Sequence, residues 1–341
     1  MAIYFIILAA LIVCAFLHDE EKVNVTTLSI LILFFILFVG LRGSNVDNDY
    51  QNYLSTMKRG WGFAEISFFL ISKISYELTK DYVGVFIIYA TIGITGQIYV
   101  MYKESHNFWL SLTFFFCTYF ILLDMNAIRA GAALSMAMLA WQPWSEKKHV
   151  QAILLLMLAT FFHYSFIILL IAYPLIRNNQ HFLNYFMLLI PLSYLIHFII
   201  PPTKILSFFD ITIVTIKSDA YNETKAGELS VFSTVVLIRL TIIALLYYYK
   251  DNLAKVCDKF YLLFKLYLVG VFITITFADI PVVAMRVLDL FACSELILLP
   301  LFCEIITPRW ISIAGISAYA CFYFMIYALI GHYIRPYELI I

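Results

Sequence analysis

The sequence predicts an all-α, polytopic membrane protein of about 11–12 transmembrane helices, forming a single transmembrane domain over residues 1–341. Three observations predict it. Hydrophobic residues make up 63% of the chain and charged residues 13%, whereas a soluble globular chain is about 45–50% apolar and about 25% charged. Mean hydropathy is +0.92, more apolar surface than water can solvate, so the solvent must be lipid. The apolar residues also come in long runs, and in lipid such a run must bond its backbone groups internally, which means helix. Formal net charge is zero and no polybasic run occurs, which argues against a nucleic-acid partner.

The expected helices are 2–17, 26–41, 82–102, 108–123, 126–142, 149–162, 164–176, 182–200, 230–249, 260–277, 282–303 and 310–333. The first lacks a positive leading region and a cleavage site, and Asp19-Glu20-Glu21 follows it. It reads as a retained membrane helix, not a signal peptide. Segment 65–81 mixes Phe68, Phe69, Leu70 and Ile74 with Glu65, Lys73, Glu77 and Lys80, the pattern of an amphipathic helix lying at the interface. Residues 42–81 and 201–229 then form two extracytoplasmic loops. That orientation follows from the basic residues of short loops. Lys22, Lys103, Lys147, Lys148, Arg177, Lys250, Lys255, Lys259 and Arg309 fall in alternate connections. The turns near Asp124, His163 and Asp279 lack Lys and Arg, apart from Arg129 inside a helix. The pattern requires 149–176 to break at His163 into an up-and-down pair.

Charges at bilayer depth cost about 2.5–3.5 kcal/mol on insertion scales, so each needs a partner or a wet cavity. Arg42 ends the second helix, with Asp47, Asp49, Tyr50 and Tyr53 just beyond. One helical turn would put Asp49 and Tyr53 on one face; the plain alternatives are a snorkelling arginine and a solvated loop. Arg129 begins a helix, and a structural pair with Asp124 is its plain alternative. His163 sits among aromatics in TFFHYSF, where a hydrogen-bonded core histidine competes with a functional one. Arg239 lies halfway along its helix. Arg286 and Asp289 are three apart and share a face, with Glu295 deeper in the same segment, and an internal salt bridge would also account for them. Guanidinium groups hold phosphate bidentately and keep their charge. Four arginines in or beside the bilayer, most of them toward the outer half, therefore suit a diphosphate-bearing ligand entering from lipid. The six cysteines form no Cys-x-x-Cys pair and read as packing thiols. No carboxylate cluster resembles a metal site, so no metal and no cofactor is expected.

At these residues the sequence resembles the EpsG/Wzy-like family of bacterial polysaccharide polymerases. RGSNVDNDYQNY at 42–53 is similar to that family's Arg-x-x-x-Val-Gly-x-Asp-x-x-x-Tyr segment. AIRAGAALSMAM at 127–138 and LATFFHYSF at 158–166 resemble its Ile-Arg-Gln-x-x-Ala and Ala-x-x-x-His-x-Ser segments. VVAMRVLDLF at 282–291, with the later ILLP, resembles an Arg-x-x-x-Tyr/Phe helix ending in proline, and Arg335-Pro336-Tyr337 resembles the closing Pro-Tyr. The matches run in family order over nearly the whole chain. Asp47 stands where the family commonly has glycine, and Ala130 where it has glutamine.

The resemblance implies a fold like the lipid-dependent glycosyltransferase superfamily (GT-C) and an O-antigen, capsule or exopolysaccharide polymerase at the outer face of a bacterial inner membrane. Its substrates would be undecaprenyl-pyrophosphate-linked oligosaccharides, with a chain-length regulator as a further partner. Inverting transfer would release the lipid pyrophosphate. His163 is the expected base, with Asp49 second, because imidazole accepts protons near neutrality. Arg129, Arg239 and Arg286 would hold the diphosphate. Arg42, Asp49 and Tyr53 would shape the sugar site, and Asp289 and Tyr337 would join in substrate binding. An O-antigen ligase-like transferase and a non-enzymatic lipid-linked sugar transporter or flippase are the alternatives. No internal repeat of the kind many transporters carry is visible.

Overall fold

A computed structural model describes the chain except residues 19–22, 60–64, 200–229 and 341. The loop expected at 201–229 lies outside the described residues, as do Asp19-Glu20-Glu21 and Lys22. Among the described residues the regular elements are helical. We number the longer ones α1 (Ala2–Leu17), α2 (Val25–Gly40), α3 (Tyr50–Arg59), α4 (Ile66–Thr79), α5 (Val83–Glu104), α6 (Phe108–Asn126), α7 (Ile128–Leu139), α8 (His149–Phe162), α9 (Ile167–Ala172), α10 (Leu183–Ile199), α11 (Thr234–Tyr248), α12 (Phe260–Thr276), α13 (Pro281–Ala292) and α14 (Trp310–Ile330).

Helices α5, α6 and α14 are long and apolar enough to cross a membrane by length and composition. Six shorter apolar helices, α1, α2, α8, α10, α11 and α12, have 17 residues or fewer in each case, against about 20 for a span normal to the bilayer. Local chemistry sets several boundaries. Asn24 and Asn107 begin α2 and α6 by accepting hydrogen bonds from the Thr27 and Leu110 amides at 2.8 Å each. Pro281 opens α13, where a missing N–H costs nothing. The helix expected over 282–303 is instead broken. It stops at Ala292, resumes as a single turn over Glu295–Leu298, and tightens to 3₁₀ geometry over Pro300–Glu304. Pro300 explains part of this, because it cannot donate back into a helix.

The chain forms two compact units, residues 1–175 with 296–341, and residues 176–295. In the first, α5 packs on α2 and α7, α7 on α8, and α6 on α1 and α14. The break expected at His163 is present: α8 ends at Phe162, His163 is extended (φ −152°, ψ 119°), and α9 packs back on α8. Segment 65–81 folds as the expected single helix, α4, packed on α5 and α8. Beyond Asp49 the chain is helical and not a solvated loop, and α3 runs for ten residues.

The α5–α7 contact is close because of two glycines. A Cβ on Gly93 or Gly131 would stand 2.5 and 2.6 Å from the Asp124 Oδ1. Gln97 of α5 fills the same seam, donating to Asp124 Oδ1 at 3.2 Å and to the Gly131 carbonyl at 2.9 Å. Gly131→Ala should therefore destabilise the protein by about 1–3 kcal/mol, the usual range for overpacking a filled core. Thermal melting in detergent micelles measures it, and an unchanged midpoint would contradict the packing argument.

In the second unit, α12 packs on α13, α10 and α11. Lys265, buried in α12, donates to the carbonyls of Arg177, Asn179 and His181 at 3.0, 2.8 and 2.9 Å and to Asn179 Oδ1 at 3.1 Å. A lysine inside an apolar helix thereby staples residues 177–181, whose carbonyls have no helix to bond within.

Candidate active site

One end of the first unit gathers chemistry. Helix α2 ends there, α7 begins there, and α8 ends there, so Arg42, Arg129 and His163 all arrive at helix termini. The segment from Gly43 to Glu65 lies between α2 and α4 and contributes Asp47, Asp49, Tyr53 and Glu65.

Arg42 is fully buried. Its Nε donates to Asp47 Oδ2 at 2.5 Å, and its two terminal nitrogens donate to the Val39 and Met125 carbonyls at 2.6 Å each. The rings of Tyr50 and Phe86 lie 5.5 and 5.0 Å from the guanidinium carbon. Asp47, at the position where glycine was expected, works on both sides. Its second oxygen accepts the Asp49 and Tyr50 amides at 2.9 and 2.8 Å, which starts α3. The C-terminal tail closes over this corner. Gly43 donates to the Glu338 carbonyl at 2.7 Å, Arg335 to the Val46 carbonyl at 2.9 Å, and Ile340 to the Leu41 carbonyl at 2.9 Å. Tyr337 stacks on Phe38 with ring centres 4.1 Å apart and donates to the Phe38 carbonyl at 2.9 Å.

The second constellation centres on Glu65, the residue that opens α4, only 4% exposed. Its Oε1 meets His163 Nδ1 at 2.6 Å, and its Oε2 accepts from Arg129 Nη1. Arg129 lies over the rings of Tyr53 and Phe68, 5.5 and 5.4 Å from their centres. Ser67 pins α4 to the end of α8, donating to the Phe161 carbonyl at 2.8 Å, and Tyr89 donates to Ser67 Oγ at 3.3 Å. Burial by itself would raise the Glu65 carboxyl. The His163 hydrogen bond and the Arg129 charge outweigh it and hold the group below its ordinary value. Burial pushes Tyr53 up to about 12 against the opposing charge of Arg129, so its phenol keeps its proton at neutral pH and is no base.

Asp124 is not the partner of Arg129, as the sequence had left open. It ends α6 turned inward, wedged between Gly93 and Gly131 and held by Gln97. The carboxylate that Arg129 uses comes from 64 residues away, on a segment that sequence spacing did not connect to it. By sequence pattern Glu65 is only one polar residue of an amphipathic helix. The signal available was chemical: a histidine and an arginine at two helix ends with no acidic neighbour in sequence beyond Asp124. Asp49 is half-buried at the head of α3, where its carbonyl accepts the Tyr53 amide at 2.9 Å.

Arg239, Arg286 and Asp289 belong to the second unit. Arg239 is buried and donates to Glu295 Oε1 at 3.1 Å, with the Tyr267 ring 6.0 Å away. Asp289 lies within electrostatic reach of Arg239, Glu295 and Arg286. Arg286 is exposed. Three of the four arginines thus have a carboxylate of their own: Asp47, Glu65 and Glu295.

Ion pairs of this kind can simply brace helices. The Glu65 pair differs in two ways. Its carboxylate is shared with an imidazole, and both partner side chains stay partly open, Arg129 at 27% and His163 at 22% exposed. A carboxylate–imidazole–guanidinium set with two open heads can orient a base and bind an anion. Among the described residues, no group of three or more His, Cys, Asp and Glu side chains is placed to hold a metal ion. The model of the EpsG family matches residues 25–339. No curated protein and no solved structure matches the chain.

Proposed function

Because the chain belongs to the EpsG family, an EpsG/Wzy-like family of polysaccharide polymerases, we propose that it joins oligosaccharide repeat units carried on undecaprenyl pyrophosphate. The reaction is inverting glycosyl transfer at the outer face of a bacterial inner membrane, on a GT-C-like fold. The observation that carries this reading is the meeting of His163 and Arg129, each partly open, at the Glu65 carboxylate.

His163 is the base. Its free ring nitrogen takes the proton of the acceptor hydroxyl as the acceptor oxygen bonds to the anomeric carbon. The bond from that carbon to the diphosphate oxygen breaks, and its electron pair leaves with the lipid diphosphate. Arg129 stabilises the charge that appears there, and its seat over Tyr53 and Phe68 holds the guanidinium without further ordering. Asp49 contacts the sugars beside it. Arg42 and Tyr337 serve as the frame: their polar groups are spent on protein carbonyls and on Asp47. In the second unit Arg286 is exposed on α13, and Arg239 with Glu295 braces the helices.

The test uses purified protein in liposomes with a synthetic lipid-linked repeat. Chain lengthening with one lipid diphosphate released per linkage, both lost in Arg129→Ala at normal protein levels, is the expected result. Transfer only to a different lipid acceptor would establish the ligase reading. Movement of intact lipid-linked sugar across the bilayer without diphosphate release would establish transport. Full polymer formation by Arg129→Ala overturns the assignment.

A further inference from the structure

We propose that Glu65 is the positioning residue of this site, fixing His163 in the tautomer that leaves its Nε2 free to take a proton, and tying that event to Arg129 through one shared carboxylate. The inference rests on the reading of His163 and Arg129 given above and adds a residue to it.

The geometry carries the argument. An ionised carboxylate has only acceptors to offer. With Oε1 at 2.6 Å from Nδ1, the hydrogen of that bond must sit on the histidine. Neutral imidazole has one N–H, so Nε2 is then the bare nitrogen. Oε2 is engaged at the same time by Arg129, so the carboxylate cannot rotate to release either partner without losing both. Its place is fixed from behind. Glu65 is the residue at which α4 begins, its carbonyl accepts the Phe68 and Phe69 amides at 3.0 and 3.2 Å, and Ser67 fastens the next turn to the Phe161 carbonyl, two residues before His163.

The charge balance follows. Before reaction, Glu65 and Arg129 sum to zero beside a neutral imidazole. When Nε2 takes the acceptor proton, the set becomes +1. That is the moment at which the anomeric C–O bond breaks and the departing diphosphate gains negative charge. One carboxylate facing two cations holds the imidazolium in place yet cannot neutralise Arg129 as well. The guanidinium is therefore most available to the anion as the leaving group departs.

The test compares Glu65→Gln and Glu65→Asp in liposomes with synthetic lipid-linked repeats. It also records the tautomer of ¹⁵N-labelled His163 by NMR. In Glu65→Gln the amide oxygen faces Arg129, which can only donate, so the amide NH₂ faces Nδ1 and forces the proton onto Nε2. Turnover should fall by up to roughly 10⁴-fold, the size of a wrong-tautomer defect, with the donor KM changed less than about threefold because the lost interaction acts in the transition state. Glu65→Asp keeps a carboxylate and should recover part of the rate. Wild-type His163 should show Nδ1–H and Glu65→Gln should show Nε2–H. Wild-type turnover in Glu65→Gln, where His163→Ala is about 10²–10⁴-fold slower, overturns this role and leaves the assigned function standing. Wild-type turnover in His163→Ala overturns the function itself. An Nε2–H signal in wild-type protein overturns the proposal even if Glu65→Gln fails to accumulate.

Discussion

His163→Ala should reduce polymer formation about 10²–10⁴-fold, the range of a lost general base, while protein accumulates normally. The side chain is 22% exposed at an extended break between α8 and α9, so truncation removes little packing. Among the described residues its side-chain polar contact is with Glu65. That carboxylate keeps Arg129 after the change, so no buried charge is abandoned. The loss should lie in turnover at saturating donor and not in the donor KM, because proton transfer belongs to the transition state. Rates of lipid diphosphate release in liposomes measure both quantities. A KM defect with unchanged turnover would make His163 a binding group and return the search for a base to Asp49. Added imidazole entering the vacated space should restore part of the rate in His163→Ala and none in Arg129→Ala.

Much of this molecule could be read from its residues, and the parts that could not share a cause. Helix positions followed from apolar runs, which are local: α1 was expected at its observed bounds, α2 within one residue at each end. The break at His163 was legible because loop charges demanded a reversal there. Site candidates were legible as charges where lipid forbids them. Their pairings were not, because partners arrive through the fold and not through spacing. Glu65 reaches Arg129 across 64 residues and His163 across 98. Asp124, five positions before Arg129 in sequence, turns the other way because two glycines leave it a slot between α5 and α7. Lys265 stands in an apolar run, and sequence spacing gives it no partner. Its four acceptors lie on residues 177–181, more than 80 positions earlier. Arg42 was foreseen beside Asp47 and Asp49, but only the fold shows which acid it takes and that the chain's last residues cover it.

Asp47→Ala should cost about 3–5 kcal/mol, the penalty for removing one partner of a buried ion pair and stranding the other. Arg42 has no exposed surface, so water cannot replace the lost carboxylate. Its remaining acceptors, the Val39 and Met125 carbonyls, are neutral and already engaged. The same carboxylate starts α3, and a lost helix cap adds about 1 kcal/mol. Asp47→Asn separates the two contributions. Its amide oxygen can still accept the Asp49 and Tyr50 amides, but its NH₂ then points at Arg42 Nε, donor against donor. The asparagine variant should therefore melt no higher than the alanine variant, although it keeps the cap. If the asparagine variant melts near wild type, the Arg42 charge is compensated elsewhere and the ion pair contributes little. The ordering matters beyond stability, because α3 carries Tyr53, the ring beneath Arg129. A corner loosened at Asp47 loosens the floor of the site, so polymer formation should fall at temperatures below the melting midpoint of the variant.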